Sequence, residues 1–154
     1  MDVNLIDKAG RAPLHYAVKH KLEDEVAKLL SAGAVVDIED DDGQTPLHYA
    51  VQEGNYSIVN MLFNQGANPD KEDDDGCAPL YYATRKGDLV MMQGLCRAGI
   101  NVNKVGKFGY TALHLAVKNK SLEQVEFLLS QKADPNLRDE TGKTPLMLAV
   151  MLED

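Results

Sequence analysis

Apolar side chains recur at helical spacing in two short runs, and then the whole pattern begins again. Between residues 40 and 72, Leu47, Ala50 and Val51 follow Thr45-Pro46, and the spacing predicts a helix over about Pro46 to Glu53. Thr45 stands where a helix cap belongs, and Pro46 takes the first helical position, where its missing N–H costs nothing. Gly54 stops that helix. A second run, Tyr56, Val59, Leu62 and Phe63, predicts another helix over about Asn55 to Asn64, ended by Gly66. Asn68-Pro69-Asp70 then continues in extended form, because the residue before proline avoids the helical region. Ahead of the block, Asp40-Asp41-Asp42-Gly43 is turn chemistry.

The same stretch returns at a fixed interval. Gly10, Gly43, Gly76, Gly109 and Gly142 are each 33 residues apart, and each opens a segment like Gly43-Gln44-Thr45-Pro46-Leu47-His48-Tyr49-Ala50. Leu14, Leu47, Leu80, Leu113 and Leu146 are equivalent, as are Val26, Val59, Met92 and Val125 on the second helix, and Leu29, Leu62, Leu95 and Leu128. Ala17, Ala50, Ala83, Ala116 and Ala149 are small enough to let neighbouring first helices approach closely. One such unit cannot bury its apolar face alone, so the period predicts a stack with one continuous core. Helices this short are marginal by themselves, which makes the stack cooperative between neighbours.

The period together with the motif Asp-x-x-Gly-x-Thr-Pro-Leu-His resembles the ankyrin repeat, over essentially the whole chain and in five copies, the fifth truncated. The resemblance implies an all-α fold: a solenoid of stacked helix-turn-helix units with projecting β-hairpin fingers. The expected organisation is a single domain, 1–154, with units at about 7–39, 40–72, 73–105 and 106–138 and a partial unit at 139–154. Several positions depart from the pattern. Ala12 and Ala78 replace the capping threonine, Tyr81 and Met147 replace the motif histidine, Gly106 replaces the turn aspartate, and Lys21 and Lys120 replace the glycine between helices. Met1–Asn4 aligns with the tail of a preceding unit, and the last helix, with Met147, Leu148, Met151 and Leu152, is apolar where a terminal cap is normally polar; the expectation is a fragment of a longer repeat protein.

Composition narrows the function. No apolar run reaches the ~20 residues that span a bilayer, and no secretory signal opens the chain. Two cysteines without framework spacing suit a reducing compartment, so a cytoplasmic location is expected, with the nucleus left open. A net charge of -8 argues against general nucleic-acid binding. That charge is segregated: residues 37–75 carry eleven acids and one base, whereas residues 76–120 carry one acid and seven bases. Adjacent blocks of opposite sign make a strong local field.

Candidate chemistry is sparse. His15, His48 and His114 share one motif position with no carboxylate or thiol at ligand spacing, and the resemblance implies that they hydrogen-bond around the turn; His20 reads as solvated at a helix end. The acidic runs Glu39–Asp42 and Glu72–Asp75 lack the layout of a calcium loop; they read as solvated fingertips or as a surface for a basic partner, with a metal the least favoured reading. The fourth finger differs, with Val105, Lys107 and Phe108 where the second unit has Glu39, Asp41 and Asp42. Phe108 and Tyr110 flank the turn glycine, and either they form an exposed hot spot beside cations or Phe108 packs onto the next finger. Tyr16, Tyr49 and Tyr82 form a ladder that reads as core or edge packing rather than ligand stacking. Cys77, next to a turn glycine, is expected exposed, and Cys96 buried as a small hydrophobe. No nucleophile or phosphate-binding motif is present in the sequence, so no catalytic, cofactor or metal residues are assigned and the chain is read as a non-enzyme.

What remains is recognition. By resemblance, the variable positions that would meet a protein partner are Asp41, Asp42, Gln44, Gln52 and Glu53 in the second unit; Asp74, Asp75, Cys77, Arg85 and Lys86 in the third; and Val105, Lys107, Phe108, Tyr110, Lys118 and Asn119 around the fourth. The expected function is a monomeric protein–protein interaction scaffold that binds through a concave face and its fingers. A basic segment of the partner would face units two and three, and an acidic or apolar segment unit four. The alternative is a regulatory or inhibitory segment of a larger enzyme or channel, acting on a domain outside this stretch.

Overall fold

The computed structural model describes residues 1–153, and every regular element among them is helical. Its helices are α1 (Pro13–Lys19), α2 (Glu23–Ser31), α3 (Pro46–Glu53), α4 (Tyr56–Asn64), α5 (Pro79–Lys86), α6 (Leu89–Arg97), α7 (Ala112–Lys118), α8 (Leu122–Ser130) and α9 (Pro145–Leu152), with a 3-10 turn at Lys107–Gly109. Asp154, the end of the partial fifth unit, lies outside the described residues. The odd-numbered helices pack on one another in order, α1 on α3, α3 on α5, α5 on α7 and α7 on α9, and each of the first four also packs on the helix that follows it. One core runs the length of this stack, through Leu14, Leu47, Leu80 and Leu113, the alanines Ala17, Ala50, Ala83 and Ala116, and Ile58, Leu62, Met92, Leu95 and Leu128.

Local chemistry sets each helix start. Thr45, Thr111 and Thr144 accept from the backbone N–H three residues on, whereas Ala12 and Ala78 offer no side-chain acceptor, as their sequence implies. Lys21 and Lys120, in place of the inter-helix glycine, take left-handed backbone with φ of 59° and 54°, a conformation that costs a side chain energy. The tails of the units are linked by a second ladder. Asn4, Asp37, Asp70 and Asn103 accept from the backbone N–H groups of Val35, Asn68, Asn101 and Asp134, at 2.8–3.2 Å.

The projecting fingers show no strand pairing that would bear out the expected β-hairpins. No strand occurs among the described residues, and each finger is a single tight turn. In the second, Asp40 N–H donates to Gln44 O at 3.0 Å and Gly43 N–H to Asp40 O at 2.9 Å. Asp40 Oδ1 then accepts from the N–H groups of Asp42 and Gln44, both at 2.9 Å. The carboxylate satisfies backbone N–H groups at the tip of this finger.

The motif histidines tie units together. His48 is fully buried; its Nδ1 accepts from Thr45 N–H at 3.1 Å, and its Nε2 lies 3.0 Å from the Cys77 carbonyl of the next finger. His15 and His114 repeat this with Gln44 O and Lys143 O, each at 2.9 Å. With Nδ1 accepting, Nε2 carries the proton and donates. Burial pushes the pKa of His15 and His48 below the ordinary value. Above pH of about 6.5 these rings are neutral in both folded and unfolded chains, and their contribution is complete. Below it the unfolded chain takes up protons that the folded chain refuses, so stability falls as pH falls, by at most about 1.4 kcal/mol per pH unit for each ring. Chemical denaturation at pH 7.5 and pH 5.5 is expected to show the lower unfolding free energy at the acid value; equal values would contradict this account.

Candidate protein-interaction surface

The acidic residues gather where the fingers meet the ends of the odd-numbered helices. Asp41, Asp42, Asp74 and Asp75 are exposed, and Gln44, Gln52 and Glu53 half-buried behind them. The two acidic runs lie side by side, joined by Asp74 N–H to Asp42 O at 2.9 Å. Between them is an open groove of about 460 Å³ lined by Asp42, Glu53, Asp74 and Asp75, with Arg11 and Lys19 at its edge. Asp40 and Asp73 form its floor and are buried. Gln44 is more constrained than a variable surface residue: its amide donates at 3.2 Å to both Asp73 Oδ2 and the Tyr82 hydroxyl.

The basic half lies one unit further on, and its cations rest on aromatic rings. Arg85 sits 5.1 Å from the Tyr82 ring, Lys118 4.8 Å from Tyr110, and Lys107 5.5 Å from Phe108. Arg85, Lys107 and Lys118 are exposed, as is Val105, and Phe108 keeps 56% of its surface. Phe108 meets Tyr110 edge-on at 5.9 Å. Lys86 and Asn119 are exposed but also occupied: Lys86 Nζ donates to Gln52 O at 2.9 Å and Asn119 Nδ2 to Thr84 O at 2.7 Å, each closing the end of the preceding unit's helix.

Cys77 requires a correction. Expected exposed beside Gly76, it is only 1% exposed, its thiol covered by the fourth finger, so it is not open to a partner at the surface. Burial also pushes its pKa up, which keeps it a thiol. Cys96 is half-buried and free rather than fully enclosed. His20 is exposed at the end of α1, as expected.

The tyrosine ladder has a partner that sequence reasoning missed. Tyr16, Tyr49 and Tyr82 donate their hydroxyls to Asp7, Asp40 and Asp73, the turn aspartates of their own fingers, at 2.5 Å for Tyr49. Burial and the neighbouring carboxylate push Tyr49 up to about 12, and push Tyr82 up as well, so both stay protonated donors. The signal was available. The spacing of nine recurs three times, and the fourth unit loses both members together, as Leu115 and Gly106.

A family model for ankyrin repeats matches the chain in three overlapping placements, residues 1–73, 24–105 and 80–154. This chain belongs to the ankyrin-repeat family. No curated protein matches it as a relative. Ankyrin repeats are in general protein–protein interaction modules and in general non-catalytic, and here the repeat accounts for the buried histidines and the glycine pattern. No helix among the described residues is long and apolar enough to cross a membrane. An apolar groove of about 830 Å³, larger than the acidic one, lies at the far end of this ankyrin stack between α7, α8 and α9, where no second helix among the described residues covers Leu146.

Proposed function

We propose that this ankyrin stack is a cytoplasmic, non-catalytic scaffold that holds a protein partner across its fingers and the exposed side of its odd-numbered helices. The observation that carries this reading is the division of that face into an acidic half, Asp41, Asp42, Asp74 and Asp75, and a basic, aromatic half, Arg85, Lys107, Phe108 and Lys118. A partner fits both halves when it presents a basic segment to units two and three and an acidic or apolar segment to unit four. Charge complementarity steers such an encounter and fixes its register, while the exposed aromatic supplies contact area. Gln44, Gln52, Glu53 and Tyr110 line the same face behind the tips and complete the contact.

The test compares proteins retained from cell extract by wild type and by two double variants, Asp41→Lys/Asp74→Lys and Phe108→Ala/Tyr110→Ala, at low and high salt. Each variant is expected to weaken retention about tenfold or more, and only the charge reversal is expected to flatten the salt dependence. Unchanged retention and salt dependence in Asp41→Lys/Asp74→Lys would refute the acidic half of the reading; unchanged retention in the aromatic variant would refute the other half.

A further inference from the structure

Neighbouring fingers are joined by the same bonds along most of the stack. Asp41 N–H donates to Ala9 O at 2.9 Å, Asp74 N–H to Asp42 O at 2.9 Å and Glu140 N–H to Phe108 O at 3.1 Å. Each of these junctions also has a histidine reaching the next finger's carbonyl. The first two junctions add a polar side-chain link, Arg11 Nε to the Tyr49 hydroxyl and Gln44 to Asp73 and Tyr82.

The junction between the third and fourth fingers has none of these among the described residues. Lys107 N–H, which by register would donate to Asp75 O, instead points to Cys77 Sγ at 3.4 Å, a weak acceptor. Tyr81 stands where the histidine would be and has no ring nitrogen to offer. Its ring fills the space that the fourth finger's aspartate would need: a Cβ on Gly106 would come within 2.6 Å of Tyr81 Cδ2 and 3.1 Å of Cys77 Sγ. So Gly106 has no carboxylate to hold the turn, and Phe108 takes left-handed backbone with φ of 63°.

The turn glycines carry the same difference. A Cβ built on Gly10, Gly43 or Gly109 would meet the backbone nitrogen of the next finger, Asp41, Asp74 or Glu140, at 2.6–2.8 Å. On Gly76 it would meet nothing within 4 Å. The third and fourth fingers therefore stand further apart than the others, although α5 and α7 beneath them pack as closely as the other pairs.

We propose that the finger row is divided at this junction, so that fingers one to three and fingers four and five are two groups whose spacing changes while the helical stack stays intact. The division coincides with the reversal of surface charge, so a partner spanning both halves would also set the gap. The division is a property of the isolated chain and stands or falls separately from the proposed binding.

Amide hydrogen exchange on the isolated chain, resolved by residue and corrected for intrinsic rates, tests it. Lys107 is expected to be protected about tenfold less than Asp41, Asp74 and Glu140, the three amides with carbonyl partners at the other junctions. Tyr81→His/Gly106→Asp/Leu115→Tyr, which restores three of the four side chains of the second junction and leaves Cys77 in the place of Gln44, is expected to raise protection of Lys107 about tenfold. Gly43→Ala is expected to deprotect Asp74, while Gly76→Ala leaves Lys107 unchanged. Protection of Lys107 equal to that of Asp74 in wild type would overturn the proposal, and this comparison decides even where the triple variant fails to fold.

Discussion

Leu47→Ala is expected to lower the unfolding free energy by about 3 kcal/mol, and Leu146→Ala by less than about 0.5 kcal/mol, both read by chemical denaturation. The two leucines occupy the same station, each following Thr-Pro at the start of a helix. Leu47 is 0% exposed and belongs to the continuous core, so its loss removes apolar burial and leaves a cavity that packed neighbours only partly close. Leu146 is 72% exposed on α9, which packs on α7 but has no second helix of its own among the described residues. Truncating it removes little that folding had buried. Because adjacent helices support one another, the Leu47→Ala loss should appear as a shift of the cooperative transition with a largely unchanged denaturant slope. Equal effects at the two sites would mean that the stack does not bury its leucines as described.

His48→Ala is expected to cost about 2–4 kcal/mol in the same measurement at pH 7.5. The ring's Nδ1 is the partner of Thr45 N–H at 3.1 Å and lies 2.9 Å from the Thr45 hydroxyl; its Nε2 reaches the Cys77 carbonyl. Thr45 is itself fully buried, so its N–H is left without a partner when the ring goes. The Cys77 carbonyl keeps the Asp73 N–H at 3.0 Å, so the loss on that side is the tie between units rather than an orphaned acceptor. Two buried groups lose a bond and a cavity the size of the ring opens, which together set the range. The same variant is expected to reduce the acid-side loss of stability, leaving the contribution of His15. A variant with wild-type stability would show that the histidine is a bystander in the turn.

Much of this was legible in the chain. The period fixed the number of helices, their pairing and the identity of the core leucines, because a repeated station in a linear stack meets the same neighbours each time. The capping threonines, and their absence at Ala12 and Ala78, could be read directly, since a cap depends on three or four consecutive residues. The segregation of charge between the second and fourth units was visible too, and the exposed acids of the second and third fingers do lie side by side. The errors have a common cause. Cys77 was judged by its turn glycine, but its exposure depends on Lys107, thirty residues away, whose N–H faces the thiol. The resemblance implies hairpin fingers, but no strand pairs among the described residues, in the fourth finger, which lacks the turn aspartate, as in the others. The aspartate–tyrosine pairs were overlooked because nine residues matches neither a helical nor a strand period.

The sequence by itself determined the repeat: where each helix begins and ends, which positions recur from unit to unit, and that one charge sign gives way to the other midway along the stack. These follow from local capping, helical spacing and a translation of 33 positions, none of which requires knowing a distant contact. Only the tertiary structure decided which equivalent residues are truly equivalent. Leu47 and Leu146 differ in what covers them. Gly43 and Gly76 differ in how near the next finger lies, and Tyr81 and Gly106 prove to be one substitution shared between two units. Burial and spacing belong to pairs of units, and a repeat read one unit at a time contains only half of each pair.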